Sequence, residues 1–126
     1  MRPADVAIWN RYIAKNPDKF LQVWYDYKVG DSAPISDDII ESAAQSWYDL
    51  TRWAADVVAE DEHTIYVIEI KPLANAKALG QALSYALLFS SEHKPQKPVI
   101  PVVLTDYEIS STRKVADLQG IALWTA

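Results

Sequence analysis

One stretch of the sequence constrains the fold more than any other, because it places a helix between two strongly apolar strands. Residues 64–71, TIYVIEIK, are rich in β-branched residues and predict a strand. The alanine-rich residues 74–89 predict a long helix, and residues 99–104, VIPVVL, predict a strand that is buried on both faces. Two strands joined by a helical crossover usually lie parallel in one sheet. We therefore expect a parallel strand pair covered by a helix.

The rest of the sequence adds an antiparallel part to this sheet. Residues 20–29 and 47–59 predict two more strands, which can form an antiparallel meander with the strand at 64–71. Helices are predicted at 3–15 and 110–119, and a short last strand at 121–124. The predicted order is helix, three strands, helix, strand, helix, strand. The expected fold class is α/β, with a mixed sheet of about five strands flanked by helices.

Three local expectations accompany this order. The spacing of Val6, Trp9 and Ile13 predicts that these side chains face the core from the first helix. Pro72 has no backbone N–H to donate, so we expect it to end the strand that precedes it. Residues 37–45 are compatible with either a short helix or a mobile flap.

Composition excludes the functions that need particular residue types. The chain has no cysteine and only two histidines, which rules out disulfides, zinc fingers, thiol catalysis and multi-histidine metal sites. Its 126 residues are expected to form one domain, 1–126. No apolar run reaches the ~18–20 residues that span a bilayer, so we expect no membrane association and a cytoplasmic location.

The charge of the chain is negative overall but unevenly distributed. A net charge of −5 argues against generic binding to nucleic acid, which needs a basic surface. Ten of the 17 acidic residues lie between residues 26 and 62, whereas residues 71–97 have a net positive charge. A locally basic face on an acidic molecule is therefore possible, and carboxylates that hold cations would reduce the repulsion of phosphate.

The end of the strand at 64–71 carries two charged residues. Glu69 and Lys71 are two residues apart, so both side chains project from the same face of the strand. Burying two charges is unfavourable unless they are paired or bound to an ion. The sequence leaves two interpretations open, a structural ion pair and a site for a divalent cation.

A second acid is expected at the same end of the sheet. Asp56 lies in the apolar segment 53–59, although aspartate is disfavoured inside strands. If this segment and the strand at 64–71 form a hairpin, Asp56 lies close to Glu69 and Lys71. Carboxylates together with water are the usual ligands of Mg²⁺ in proteins. The alternative is an aspartate at a strand bulge.

The long helix presents a polar stripe beside its apolar face. Lys77, Gln81 and Tyr85 follow one another at intervals of four residues, so they lie on one side of the helix. This stripe is expected to flank the strand ends and to meet a nucleic-acid backbone. An ordinary polar helix face is the other interpretation.

Asp56, Glu69-Ile70-Lys71 and Gln81-x-x-x-Tyr85 together resemble the PD-(D/E)XK, or restriction-endonuclease-like, nuclease superfamily. The Gln-x-x-x-Tyr element is similar to that of its RecB-type branch. The resemblance covers about residues 52–105 and the leading helix, and it extends to the order of the elements. Small solitary versions of this core are typical of proteins encoded by phages or archaeal viruses.

The resemblance implies a role for each matching residue. Asp56, Glu69 and the carbonyl of Ile70 would ligate Mg²⁺ or Mn²⁺. Lys71 would orient or activate the attacking water and steady charge on the phosphate. Gln81 would position the site, with Tyr85 beside it. The implied activity is metal-dependent hydrolysis of phosphodiester bonds in nucleic acid, with DNA as the expected substrate.

The sequence departs from the family pattern at two points. Ala55 precedes Asp56 where many members have proline, and Asp5 is the acid available on the first helix. Further contacts with nucleic acid are assigned to Arg52, Lys77, Lys94 and Lys97. Surface ion pairs and solvated lysines are the alternatives for these cations.

Two functions of other classes compete with the nuclease. The same fold could serve as a non-catalytic structural, oligomerising or adaptor module, for instance a virion component, and the negative net charge favours this reading. An inhibitor or anti-restriction factor that binds protein is a third class. The five tryptophans make a homo-oligomer interface possible, and a phage-encoded chain would act in the host cytoplasm.

Overall fold

The structure is a computed structural model that describes residues 1–31, 43 and 52–126. Residues 1–31 and 52–126 form three helices and five strands in the predicted order, so the α/β class is confirmed. The alternatives for residues 37–45, and residues 47–51 of the predicted second strand, lie outside the described residues apart from Ala43. The elements are α1 (Pro3–Lys15), β1 (Gln22–Val29), β2 (Trp53–Glu60), β3 (Ile65–Leu73), α2 (Ala76–His93), β4 (Val99–Tyr107), α3 (Ser110–Gln119) and β5 (Ala122–Thr125).

The five strands form one mixed sheet in the order β1-β2-β3-β4-β5. β1, β2 and β3 are antiparallel neighbours, whereas β4 lies parallel to both β3 and β5. The expected meander and the expected parallel crossover are both present. β3 is therefore the central strand, and its residues Val67 and Ile68 have no exposed surface. Residues 65–68 of β3 pair with a neighbouring strand on both sides.

The prediction that Pro72 ends β3 is wrong, because the strand continues to Leu73, which pairs with Tyr107. The Ile70 N–H points towards β2, where it bonds Asp56. Pro72 lies two residues further along the strand, so its nitrogen faces the same side. Backbone pairing between β2 and β3 has already ended there. The missing N–H of Pro72 therefore removes no ladder hydrogen bond.

Helix α1 covers one face of the sheet. Its buried residues are Asp5, Ile8, Trp9 and Tyr12, and the apolar ones pack on side chains of β2, β3 and β4. The expectation for Val6 is wrong, since its side chain is 38 % exposed. The buried stripe is shifted by one residue because it includes Asp5, an acid that a purely apolar pattern leaves out.

Helices α2 and α3 cover the opposite face. Small residues such as Ala78 and Ala82 let α2 lie close to β3 and β4. Asn75 begins this helix, since its side chain accepts a hydrogen bond from the Ala78 N–H at 3.0 Å. Gly120 ends α3 with a φ of +69°, a conformation that favours glycine.

None of the helices in the described part of the chain is long and apolar enough to cross a membrane.

Candidate active site

β2 and β3 separate at one end, and two acidic side chains bridge the gap. Backbone pairing of these strands ends at Val57 and Ile68. Beyond that pair, Asp56 Oδ2 accepts a hydrogen bond from the Ile70 N–H at 2.8 Å. In the other direction, Glu69 Oε1 accepts one from the Asp56 N–H at 3.2 Å. Each acid thus accepts from a backbone amide of the opposite strand, which fixes the two carboxylates beside each other.

Both acids are poorly hydrated. Glu69 is 7 % exposed, and Asp56 is half-buried. Burial, followed by the charge of Asp56, raises the pKa of Glu69 to about 8. Burial also raises the pKa of Asp56, although the hydrogen bond from the Ile70 N–H opposes the shift. Near neutral pH the pair therefore favours either a bound proton or a bound cation.

A third acid comes from the first turn of α1. Asp5 is 9 % exposed and lies at the same cleft as Asp56 and Glu69. Its Oδ2 accepts a hydrogen bond from the Arg2 N–H at 3.4 Å. Its negative charge contributes to raising the pKa of both other acids. The sequence showed only that Asp5 lies near the start of the first helix. The structure shows that it lies at the site with the other two acids.

Most of the predicted site residues line one cleft, which we call the acid cleft. It has a volume of about 250 Å³ and lies at the carboxyl end of β3. Lys71 reaches it from β3, and Lys77 and Gln81 reach it from the first turns of α2. The described residues that line it are Arg2, Ala4, Asp5, Asp56, Glu69, Ile70, Lys71, Pro72, Lys77 and Gln81.

The donor atoms at the acid cleft fit a hard divalent cation. The backbone hydrogen bonds described above use Asp56 Oδ2 and Glu69 Oε1, which leaves Asp56 Oδ1 and Glu69 Oε2 for an ion or a proton. The Ile70 carbonyl lies on the same side of β3 as its N–H and faces the gap. Among the described residues, no three His, Cys, Asp or Glu side chains form an ion-holding cluster. An ion here would therefore use two carboxylates, a carbonyl and water, a set typical of Mg²⁺.

Gln81 and Tyr85 are linked as a pair, but they occupy different environments. Gln81 Nε2 donates a hydrogen bond to Tyr85 Oη at 3.4 Å. Tyr85 was expected beside the apolar face of the helix, yet it is 8 % exposed and packs in the core with Val29 and Val67. The ring is large enough to reach the sheet from the edge of the stripe, while its hydroxyl stays with Gln81. Only Gln81 lines the acid cleft itself.

Three of the predicted cationic contacts lie away from the acid cleft. Arg52 donates to the carbonyls of Gly30 and Lys28, which ties it to the end of β1. Lys97 bonds Glu60 at 2.6 Å at the opposite end of the sheet. Lys94 follows the last turn of α2 in the left-handed conformation and is exposed. Lys77 is the predicted phosphate-binding cation that does line the cleft.

A buried threonine braces the chain beyond Lys71, and the sequence reasoning missed it. Thr105 Oγ1 accepts a hydrogen bond from the Ala74 N–H at 3.1 Å and lies 3.1 Å from the carbonyl oxygens of Pro72 and Tyr107. The residue has no exposed surface. The sequence feature that could have identified Thr105 is its position directly after the apolar run of residues 99–104. These contacts fix the link between Lys71 and α2.

Arg2 and Trp53 also escaped the sequence reasoning. Arg2 lines the acid cleft. The sequence feature that bears on this is its position directly before the first helix. Trp53 begins β2 three residues before Asp56 and is 55 % exposed. Tryptophan is a mostly buried residue type, so nothing in the sequence distinguishes Trp53 from a core residue.

Comparison with known proteins yields structural matches only. No protein-family model matches the sequence, and no curated protein matches it either. Several solved structures do match. One is a repair endonuclease from Pyrococcus abyssi, with a TM-score of 0.60, 18 % identity, and coverage of 100 % of this chain and 47 % of that one.

A second match is EndoMS in complex with double-stranded DNA, with a TM-score of 0.57 and 16 % identity, covering 100 % of this chain and 46 % of that one. EndoMS in its apo form gives a TM-score of 0.56 at 18 % identity, with coverage of 95 % and 45 %. The likeness is one of fold. The chain spans about half the length of these proteins, and its mixed sheet with flanking helices is an architecture found within them.

Proposed function

We propose that this chain is a metal-dependent nuclease that hydrolyses phosphodiester bonds, with DNA as the expected substrate and Mg²⁺ or Mn²⁺ as the ion. The observation that carries the proposal is the bridge between β2 and β3. Asp56 and Glu69 are held side by side in a poorly hydrated cleft that also contains Lys71. Two buried carboxylates held side by side destabilise the folded state when both are ionised. A bound cation would compensate their charge, which explains why the site is built this way.

The fold supports the proposal independently of the acids. The matching structures include a repair endonuclease, and EndoMS solved in complex with double-stranded DNA. The Gln81-x-x-x-Tyr85 element belongs to the same resemblance, and its two side chains are hydrogen-bonded. Membership of the RecB-type branch and a phage origin remain predictions.

The side chains of the acid cleft suit the hydrolysis of a phosphate diester. In this reaction a water oxygen attacks phosphorus, the bond to one sugar oxygen breaks, and the water loses a proton while the leaving oxygen gains one. Lys71 would donate hydrogen bonds to the attacking water or to a phosphate oxygen, and so stabilise negative charge in the transition state. Arg2 and Lys77 would hold the phosphates on either side, and Gln81 would orient the substrate.

Asp56, Glu69 and the Ile70 carbonyl would hold the cation. When bound, the ion would lower the pKa of a coordinated water and withdraw charge from the phosphate oxygens. It would also favour the ionised forms of both acids, which burial disfavours when no ion is present.

A cleavage assay tests the proposal. Wild-type protein is incubated with labelled single-stranded, duplex, flap and four-way-junction DNA, and with RNA, in Mg²⁺, Mn²⁺ or EDTA. We expect cutting that needs the ion and that falls about 100-fold or more in Lys71→Ala, because one electrostatic group in the transition state is worth about that much.

The matched control is Lys114→Ala. Lys114 is an exposed lysine on α3 that does not line the acid cleft, so its removal should leave cutting unchanged. Cutting by Lys71→Ala at the wild-type rate would contradict the assignment. A folded wild type that cuts none of the substrates would contradict nuclease function and favour the non-catalytic module.

A further inference from the structure

Two larger cavities adjoin the acid cleft, one on each side. A cavity of about 350 Å³ shares Lys77 and Gln81 with it, and another of about 650 Å³ shares Arg2, Lys71 and Pro72. Among the described residues, none lines both of the larger cavities. The acid cleft therefore borders both larger cavities. A chain molecule lying there would place successive units on both sides of the acids.

The cavity of about 350 Å³, which we call the aromatic cavity, is lined by Trp53, Lys77, Gly80, Gln81, Ser84 and Tyr85. Trp53 packs on Tyr85 with ring centroids 5.7 Å apart and an angle of 47° between the rings. The Tyr85 ring is buried, while Trp53 remains 55 % exposed. A tryptophan is usually among the most buried residues, so an indole held by the core yet open to solvent suits an external partner.

The walls of the aromatic cavity combine an apolar plane with a positive charge. The exposed indole is such a plane, and Lys77 lines both this cavity and the acid cleft. Nucleobases stack on aromatic side chains, and lysines bind the phosphates that join them. Gly80 adds open space, since a Cβ placed there would meet no atom within 4 Å.

We propose that the aromatic cavity binds an unpaired nucleobase next to the phosphate that lies in the acid cleft, with Trp53 as its stacking platform. This deepens the proposed function, on which it rests, because it defines the substrate as nucleic acid with unpaired nucleotides beside the scissile bond. In an intact duplex both faces of an interior base are covered by its neighbours. Such a base would have to leave the stack to reach Trp53.

The test is a binding measurement without chemistry. Fluorescence anisotropy is recorded in Ca²⁺ and in EDTA with a labelled ten-nucleotide single strand, the same strand as a blunt duplex, and a single strand with abasic sites. DNA and RNA versions identify the sugar. We expect the wild type to bind the single strand more tightly than the duplex, and Trp53→Ala to weaken that binding about 5–100-fold.

Two variants control the measurement. Trp53→Phe keeps an aromatic plane and should restore most of the affinity for the single strand. Tyr107→Ala removes another exposed aromatic ring, which is 72 % exposed and lines none of the three cavities, and should leave affinity unchanged. Circular dichroism establishes that each variant is folded.

The outcomes separate this inference from the proposed function. Trp53-dependent binding of single strands by a protein that cuts nothing would support the inference and contradict the nuclease. The opposite outcome is metal-dependent cutting by the wild type together with a Trp53→Ala variant that binds single strands as tightly as the wild type. It would support the nuclease and contradict the inference. Equal loss of affinity for single strands with bases and with abasic sites would also overturn the inference, since stacking requires the base.

Discussion

At the scale of single residues, the molecule concentrates unfavourable electrostatics at one place. Asp56 and Glu69 each accept a hydrogen bond from a backbone amide of the opposite strand, at the point where β2 and β3 separate. These bonds hold the carboxylates side by side, and Asp5 adds a third negative charge at the same cleft. Without a counter-ion, the folded protein relieves the repulsion by binding protons.

This arrangement predicts a pH dependence of stability. The pKa of Glu69 is about 8 in the folded protein and near 4.5 in the unfolded chain, so the folded state binds the proton more tightly. In EDTA, the contribution of Glu69 to the free energy of unfolding should therefore be highest below pH 4.5. It should fall as the pH rises from 4.5 to about 8.

The measurement is urea unfolding at several pH values between 5 and 9. Glu69→Gln keeps a side-chain oxygen for the Asp56 N–H and cannot ionise, so its stability should decline less over this range. An identical decline in the variant and the wild type would show that another group is responsible.

A second residue-scale prediction concerns Thr105. Thr105→Val leaves the Ala74 N–H without its acceptor in a buried position, which should lower the free energy of unfolding by about 1–3 kcal/mol. Chemical denaturation measures this. Thr105→Ser keeps the hydroxyl and serves as the control. A Thr105→Val protein as stable as the wild type would mean that the amide finds another partner.

The residues differ in how far the sequence could reveal them. Glu69 and Lys71 stood out because charge at the end of an apolar strand is unfavourable without a partner. Asp56 stood out because aspartate is rare inside strands. Trp53 did not, since an aromatic residue at the start of a strand looks like core. Its exposure depends on the position of α2 over the sheet, which no local pattern encodes.

At the scale of elements, α2 links the fold to the site. Its first turns bring Lys77 and Gln81 to the acid cleft, while Tyr85, further along, packs against the core. The order and type of the elements could be predicted because each has a clear period and clear end signals, as at 110–119. The end of β3 could not, because it depends on which side of the strand has a partner at Pro72.

Two glycines give a matched prediction about helices. A Cβ at Gly80 or at Gly120 would meet no atom within 4 Å, so only the backbone conformation distinguishes them. Gly80 lies inside α2, and Gly80→Ala should raise the free energy of unfolding by about 0.5–1 kcal/mol. Gly120 has a φ of +69°, and Gly120→Ala should lower it by about 1–2 kcal/mol.

Urea denaturation of both variants beside the wild type measures this difference. Changes of the same sign in the two variants would contradict the conformational explanation. The comparison also tests the end of α3, which holds Gly120 next to the start of β5.

At the scale of the whole molecule, the protein is acidic, yet basic side chains surround the acids of the site. The net charge is −5, yet Arg2, Lys71 and Lys77 all line the acid cleft. The sequence indicated a basic region at 71–97, but it could not show which of the lysines in this region lie at the acid cleft. Lys97 pairs with Glu60 at the far end of the sheet, because α2 returns the chain from the end of β3 to the start of β4.

Cation binding should therefore be visible as stabilisation of the whole fold. Mg²⁺ at about 100 times its Kd would raise the Tm of the wild type by roughly 8–14 °C, since binding to the folded state alone shifts the equilibrium. Asp56→Asn should show little of this rise. Thermal unfolding at constant ionic strength measures the effect, and an equal rise in both proteins would place the ion elsewhere.

We propose that Asp56 and its neighbours hold an ion for phosphodiester hydrolysis. The most direct test is the rate of Mg²⁺-dependent cleavage by Asp56→Asn. The asparagine oxygen can still accept from the Ile70 N–H, so the fold is preserved while the charge is lost. We predict folded protein with cleavage reduced about 100-fold or more. Cleavage by the folded variant at the wild-type rate would contradict a role for Asp56 in holding the ion.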